Sequence, residues 1–318
     1  MRNGLLSIVF VLLQLAPFQA LNAQVASGPL GSPVAIVYDI KLIRDTDNLV
    51  ASLGDNVQVW NYKTRALVTS WSASQIISIS CLDNKVAGVS KSGYLFVWNA
   101  SDGKELLHTR MSDSPLLRLV WLDNDHIVVG AENGELIKIN VTTGQPVGRV
   151  TNAAAVTALA GNDDILISGD ENGNISVYST EDLKHVGSMS GHKTWIRDIA
   201  LSTNSEGFVT TSDDGAYKTW KIGSTISNSN KHLLGNWVLC TDVAPSPNGD
   251  FDFFAFGKSN GDVIVDVKVA TYTTKLDAMI NSIAIIESEL PQIAVALATH
   301  GQGIQLLNAK SMKLRKAR

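Results

Sequence analysis

The chain has 318 residues, 45% of them hydrophobic and only 18% charged, a balance that supplies a large core and excludes a disordered chain. Twenty-six Lys and Arg against 30 Asp and Glu leave a formal charge of −4, so no global basic field exists to hold a nucleic acid. The two cysteines, Cys81 and Cys240, exclude a disulfide framework and a cysteine zinc cluster.

Arg2 precedes an apolar run over residues 5–15, broken only by Ser7 and Gln14, and Pro17 then leads to small residues at Ala20 and Ala23. That order predicts a secretory signal peptide cleaved between Ala23 and Gln24, so that residues 1–23 are removed. The run is shorter than the ~20 residues of a membrane span, which favours cleavage; a signal-anchored membrane protein is the alternative. No second apolar run of spanning length follows, so no stable membrane span is expected after signal removal. The expected location is the lumen of the secretory pathway or the cell exterior.

Over residues 32–318 one pattern recurs: an apolar residue, two others, then an apolar residue. It appears at Val37/Ile40, Ile76/Ile79, Leu116/Leu119, Val156/Leu159, Ile196/Ile199, Cys240/Val243 and Ile280/Ile283, with spacings of 39, 40, 40, 40, 44 and 40 residues. Each unit predicts four short strands separated by turns; in the fourth these are residues 156–160, 165–168, 175–178 and 185–189. The turn between the second and third strands is the most regular, with Ser92-Gly93, Asn133-Gly134, Asn172-Gly173, Asp214-Gly215 and Asn260-Gly261 supplying the positive φ of a tight hairpin. A small sheet cannot cover both of its faces, so the units must stack, and seven of them close into a ring. The predicted fold is all-β, a seven-bladed β-propeller of four-stranded antiparallel blades. Pro29 and Pro33 suit an edge poorly, so residues 312–318 are expected to complete the last blade.

The fifth unit reads Gly191-His192, Trp195-Ile196-Arg197-Asp198-Ile199, Val209-Thr210-Thr211-Ser212-Asp213-Asp214-Gly215 and Trp220-Lys221, and it resembles a WD-repeat of the β-transducin type. Trp60-Asn61 and Trp98-Asn99 keep the tryptophan, Ile139, Tyr178, Asp266 and Leu307 replace it, and no unit has a literal Trp-Asp. The resemblance implies a structural network in which His192, between blades, links Asp214, Thr210 and the indole N–H of Trp220. A Thr, His and Asp set also suggests a hydrolase, but Thr210 falls inside a strand with no nucleophile elbow around it.

Asp170-Glu171-Asn172-Gly173-Asn174-Ile175-Ser176 with Glu181 resembles a calcium loop, yet the sixth-position glycine is missing and the repeat makes residues 175–178 a strand, which predicts a plain hairpin turn. The six histidines show no metal-ligand spacing and the glycines form no phosphate loop, so neither metal nor cofactor is expected. Cys81 and Cys240 are expected to be buried free thiols. Asn99, Asn140 and Asn174 head three sequons, which are glycan acceptors in a secreted eukaryotic chain. Lys310, Lys313, Arg315, Lys316 and Arg318 alternate with apolar residues, as on a charge-protected edge strand; weak contact with a membrane surface is the alternative.

The functional expectation is a non-enzymatic scaffold or adaptor of the secretory pathway that presents loop surfaces to a partner protein, with no nucleic-acid partner. The contact is expected in one rim sector, with Trp195, Arg197 and Asp213 together and Arg118 and Asp242 further round; Trp195 packing against the next blade is the alternative. The rival function is a secreted propeller enzyme or carbohydrate-binding propeller using the channel mouth, where Asp39, Asp198 and Asp242 read as one repeat position.

Overall fold

The computed structural model describes residues 28–223, 226–245, 252–267, 270–289 and 292–316. The expected signal peptide lies outside the described residues, as does Arg318. Among the described residues there are 28 strands and no helix, hence no helix long and apolar enough to cross a membrane.

The strands form consecutive antiparallel units that follow the 40-residue period. In the fourth unit, Val156–Gly161, Ile165–Asp170, Asn174–Ser179 and His185–Ser190 pair in that order. Each strand's composition matches its depth. The second strands, such as His126–Ala131, are almost continuously apolar because sheets cover them on both faces; the fourth, such as Glu105–Arg110, alternate at the solvent edge. The first and second units share one seven-stranded sheet, because Ala66–Leu82 ends one unit and begins the next. The result is a propeller-like series of mainly four-stranded sheets.

Seven hydrophobic clusters lie between neighbouring units. One joins Ile167 and Ile175 of the fourth to Ile196 and Phe208 of the fifth, and another joins Ala294, Ala296 and Leu306 of the seventh to Ile40, Leu49 and Ala51 of the first. Close approach depends on missing side chains at specific points. A Cβ on Gly169 would lie 2.6 Å from Ile196 of the next unit. The turn glycine Gly173 has φ 83°, and a Cβ there would collide with the carbonyl oxygen of His192.

Two expectations are corrected. The outer strand of the seventh unit comes from the N-terminal side: Gly28–Leu30 pairs antiparallel with Ile304–Asn308, Gly28 opposite Leu306 and Leu30 opposite Ile304. The repeat region, expected from residue 32, therefore includes Gly28–Leu30. Lys313–Lys316 instead adds a fifth strand to the sixth unit, against Ala270–Lys275. The physical reason is burial: Leu30 is 3% exposed within the cluster shared by the first and seventh units, whereas Leu314 is 58% exposed. Pro29 is tolerated because this is an edge strand, and its carbonyl accepts from Arg65 Nη2 at 2.5 Å.

The second correction concerns register in the sixth unit. Val238 pairs with Lys258 across a bulge as Ile196 pairs with Ser212 and Ile280 with Thr299. Val238 and Thr241 thus hold the places assigned to Cys240 and Val243, and the spacing is 42 residues on either side. Thr241 hid the pattern because a buried polar residue stands where the other units have an aliphatic one. Cys240 is the counterpart of Asp198, and Asp242 lies two residues further along.

Candidate functional site

In the fifth unit, Gly207–Ser212 and Ala216–Lys221 form a hairpin, and the segment that follows Ser190 of the fourth unit brings His192 against it. His192 Nε2 lies 2.7 Å from Thr210 Oγ1, and His192 Nδ1 lies 3.1 Å from Asp214 Oδ2. Trp220 Nε1 donates to Thr210 Oγ1 at 2.9 Å. The four groups expected to meet are therefore brought together in one buried chain. Burial pushes the His192 imidazole below its ordinary pKa, with Asp214 pulling the other way. Burial also opposes ionisation of Asp214, but His192 and the backbone N–H groups of Lys193 and Ala216 outweigh it and hold the carboxyl low. Thr210 has no exposed surface, so no substrate reaches its hydroxyl in this arrangement. In the fourth unit Asn152 and Tyr178 stand in for the histidine and tryptophan, with the Tyr178 hydroxyl donating to Asn152 Oδ1 at 2.5 Å.

Three residues of the expected partner sector meet on the adjoining surface. Arg197 donates through Nε to Asp213 Oδ1 at 2.7 Å and through Nη2 to Oδ2 at 2.5 Å, a bidentate pair. The same guanidinium lies 4.8 Å from the ring centre of Trp195, which is 39% exposed. Arg118 reaches this sector from the third unit, donating to the carbonyl of Arg197 at 3.3 Å. Asp242 does not join the surface; its side chain accepts the Ile285 N–H at 2.7 Å and the residue lines a central cavity.

That cavity, about 240 Å³, is lined by the first strands of all seven units. Its three aspartates tie neighbouring units together. Asp39 Oδ2 accepts the Ile79 N–H at 2.9 Å, and Asp198 Oδ2 accepts the Thr241 N–H at 3.0 Å, two equivalent bonds that each run from one unit to the next. Burial works against the Lys41 ammonium, but the carboxylates of Asp39, Asp198 and Asp242 together outweigh it and raise its pKa. Burial raises Asp198 and pushes Asp242 up to about 6, with Lys41 opposing both.

The remaining candidates have plain structural accounts. Asn99 and Asn140 end third strands, where their side-chain oxygens accept from the N–H groups of Ser101 at 2.8 Å and Thr142 at 3.1 Å; Asn61 and Asn308 do the same. The residue after the repeat tryptophan is thus a turn cap, a role shared by Asn and Asp that could have been read from Asn61, Asn99, Asn140 and Asn308 together. Asn174 Nδ2 donates to Asp170 at 3.0 Å within a turn, and Asn174–Ser179 is a strand running away from it. Both cysteines are free thiols, Cys240 buried as expected and Cys81 only half-buried, and desolvation pushes the Cys81 thiol up to about 12. A buried lysine, Lys258, went unnoticed in the sequence; its ammonium holds the Leu234 carbonyl at 2.9 Å and Asp262 at 3.1 Å.

Comparison with known proteins adds a family likeness. No family model matches the chain. Over 223 residues, 66% of this chain and 43% of the relative, it is 25% identical to autophagy-related protein 16 of Arabidopsis thaliana. It is 26% identical over 200 residues to WD repeat-containing protein 55 of the same plant, covering 59% and 57% of the two chains. A shorter match of 62 residues, 39% identical and 20% of this chain, covers 11% of polyadenylation factor subunit 2 of Candida albicans. The matches span little more than half of these relatives at most. By period, by the fifth unit and by these relatives, the chain resembles WD-repeat proteins.

Proposed function

We propose that the seven units are the blades of a closed propeller and that the protein is a non-enzymatic scaffold of the secretory pathway, presenting one face to a partner protein. Ring closure is supported by the cluster shared by the first and seventh units and by Ser282 Oγ donating to Asp39 Oδ1 at 2.8 Å between them. The observation that carries the function is the exposed Trp195 held by a clamped Arg197, a pre-organised surface of the kind that dominates binding energy. WD-repeat relatives support protein partners in general. The rival use of the cavity for catalysis or sugar binding is disfavoured because Asp39, Asp198 and Asp242 already accept neighbouring backbone N–H groups.

The secretory setting rests on the apolar run at residues 5–15. Cleavage after Ala23 would leave the strand Gly28–Leu30 intact. N-terminal sequencing of the protein made in its own cells tests this; the expected first residue is Gln24, and a protein still starting at Met1 would remove the assignment. Cross-linking of the native protein followed by mass spectrometry tests the function. Stoichiometric protein cross-linked near Trp195 is expected, while hydrolytic activity in a preparation without a partner would favour the rival.

A further inference from the structure

The residue just before each first strand occupies a repeated place. The backbone N–H groups of Lys91, Glu132, Asp213, Ser259 and His300 donate to the carbonyls of Gln75, Pro115, Trp195, Trp237 and Met279 at 2.9 to 3.3 Å. Ile36 holds this place in the first unit by register, since Asp39 pairs with Ser52 as Asp198 pairs with Thr211, but its bridge is to His300 of the seventh unit. The second to fourth units place Gln75, Pro115 and Ala155 there. The fifth, sixth, seventh and first place Trp195, Trp237, Met279 and Ile36, which are 39, 51, 37 and 37% exposed. Single exposed apolar residues are ordinary, but four in consecutive units at one place make an apolar arc along half of one face. Two anchors are held in advance. Arg197 and Asp213 brace Trp195, and successive left-handed residues, Gly235 at φ 61° and Asn236 at φ 55°, fix the loop that carries Trp237.

Beside this arc, among the carboxylates and cations of the cavity, stands one guanidinium that no carboxylate of the described residues contacts. Two residues after each of these positions the chain lines the cavity, so the arc borders its mouth. Arg118 spans that mouth, donating to the carbonyls of Leu117 at 2.8 Å and Arg197 at 3.3 Å. The fourth unit has only Ala158 at the corresponding place, which leaves the side chain room. Both acceptors are neutral and a guanidinium carries five N–H donors; among the described residues no carboxylate contacts Arg118 within 4.0 Å, although its charge favours the ionised form of nearby Asp198. The cavity carboxylates are engaged with backbone N–H groups, and exposed Lys193 stands at the start of the arc.

We infer that this arc docks an apolar segment of a partner protein bearing an acidic residue, whose carboxylate meets Arg118 while its apolar side chains cover Trp195, Trp237 and Met279. The inference rests on the scaffold reading and specifies its partner. The test is selection of a random dodecapeptide display library on the full chain, followed by affinity measurement with the enriched peptides as synthesised. Enriched peptides are expected to combine large apolar residues with Asp or Glu. The double substitution Trp195→Ala/Trp237→Ala should weaken binding at least tenfold at an unchanged melting temperature. Arg118→Gln should weaken the acidic peptide tenfold and leave its amide counterpart unaffected, with Lys193→Glu at an exposed position acting in the same direction should Arg118→Gln fold poorly. Enrichment of basic or uncharged peptides, or affinity indifferent to the tryptophans, overturns the inference. So does co-sedimentation with phosphatidylcholine–phosphatidylserine vesicles or self-association, if the double substitution abolishes it and no peptide is selected. Peptides that cross-link to the opposite face would remove the arc yet leave the scaffold reading standing; a chain found to be hydrolytic and partnerless would remove both.

Discussion

Asp39 and Ile79 stand 40 residues apart in sequence, and the carboxylate of the first accepts the backbone N–H of the second at 2.9 Å. Asp39 also takes the hydroxyl of Ser78 at 3.1 Å and that of Ser282 at 2.8 Å, so one side chain joins the second, first and seventh units. A charged acceptor with several short donors in a buried setting is a strong contact. Asp39→Ala should therefore cost roughly 2–3 kcal/mol, since the N–H groups of Ile40 and Ile79, the hydroxyls of Ser78 and Ser282 and the ammonium of Lys41 lose their partner together. Urea unfolding checks this, and a loss below a few tenths of a kcal/mol would show that solvent replaces the carboxylate.

Asp242 gives a pH dependence of unusual sign. Its carboxyl is pushed up to about 6 by burial, against about 3.9 for an unfolded chain. Between these values the folded protein binds a proton that the unfolded chain does not, so this group's contribution to stability rises as pH falls from above 6 towards 4. His192 acts oppositely: burial lowers its pKa, so the unfolded chain takes up a proton first as pH falls past about 6.5, and stability is lost. Comparison of wild type with Asp242→Asn cancels the histidine. Between pH 7 and pH 5 the wild type is expected to gain stability relative to the variant, and a constant difference would contradict the buried, ionisable assignment.

The period, the strand order and the His192 set were legible because each rests on side chains that must recur: apolar residues where sheets meet, glycine where φ is positive, and polar groups that can satisfy only one another. What escaped was set by geometry without a composition signal. The strand Gly28–Leu30 is three residues long and contains proline, so only the pocket that accepts Leu30 identifies it. Thr241 in an aliphatic place moved the apparent register by two residues and drew Asp242 wrongly into line with Asp39 and Asp198. The arc of Trp195, Trp237, Met279 and Ile36 became visible only with that register corrected.

The network around His192 makes a separable prediction. His192→Ala leaves Thr210 and Asp214 without their shared partner in a buried site, which should cost about 2–3 kcal/mol. Thr210→Val removes the acceptor of Trp220 Nε1 as well as the histidine contact and should cost a similar amount. Because the groups act as one chain, the double variant should cost clearly less than the two singles added together. Additive losses in denaturant titration would mean that the contacts work independently. Affinity for a partner on the Trp195 face should not change in either variant at a permissive temperature.

The two terminal strands should differ sharply in what they contribute. Leu30 is almost fully buried among Val37, Ile40, Ile304 and Leu306, where the first and seventh units meet. Leu30→Ala opens a cavity at that seam and should cost roughly 2–4 kcal/mol, in the range of large-to-small core changes. Lys313–Lys316 adds backbone pairing to an edge already built, and Leu314 remains mostly exposed. Ending the chain after Met312, which is itself 6% exposed and therefore kept, should cost less than about 1 kcal/mol because little apolar surface is lost. Thermal melts with limited proteolysis distinguish the two. The Leu30 variant should melt lower and be cut first near the seam, while the shortened chain should melt close to the parent. If removal of the C-terminal strand proved the more damaging change, the seventh unit would depend on that end of the chain after all, and the assignment of Gly28–Leu30 as its structural closure would fail.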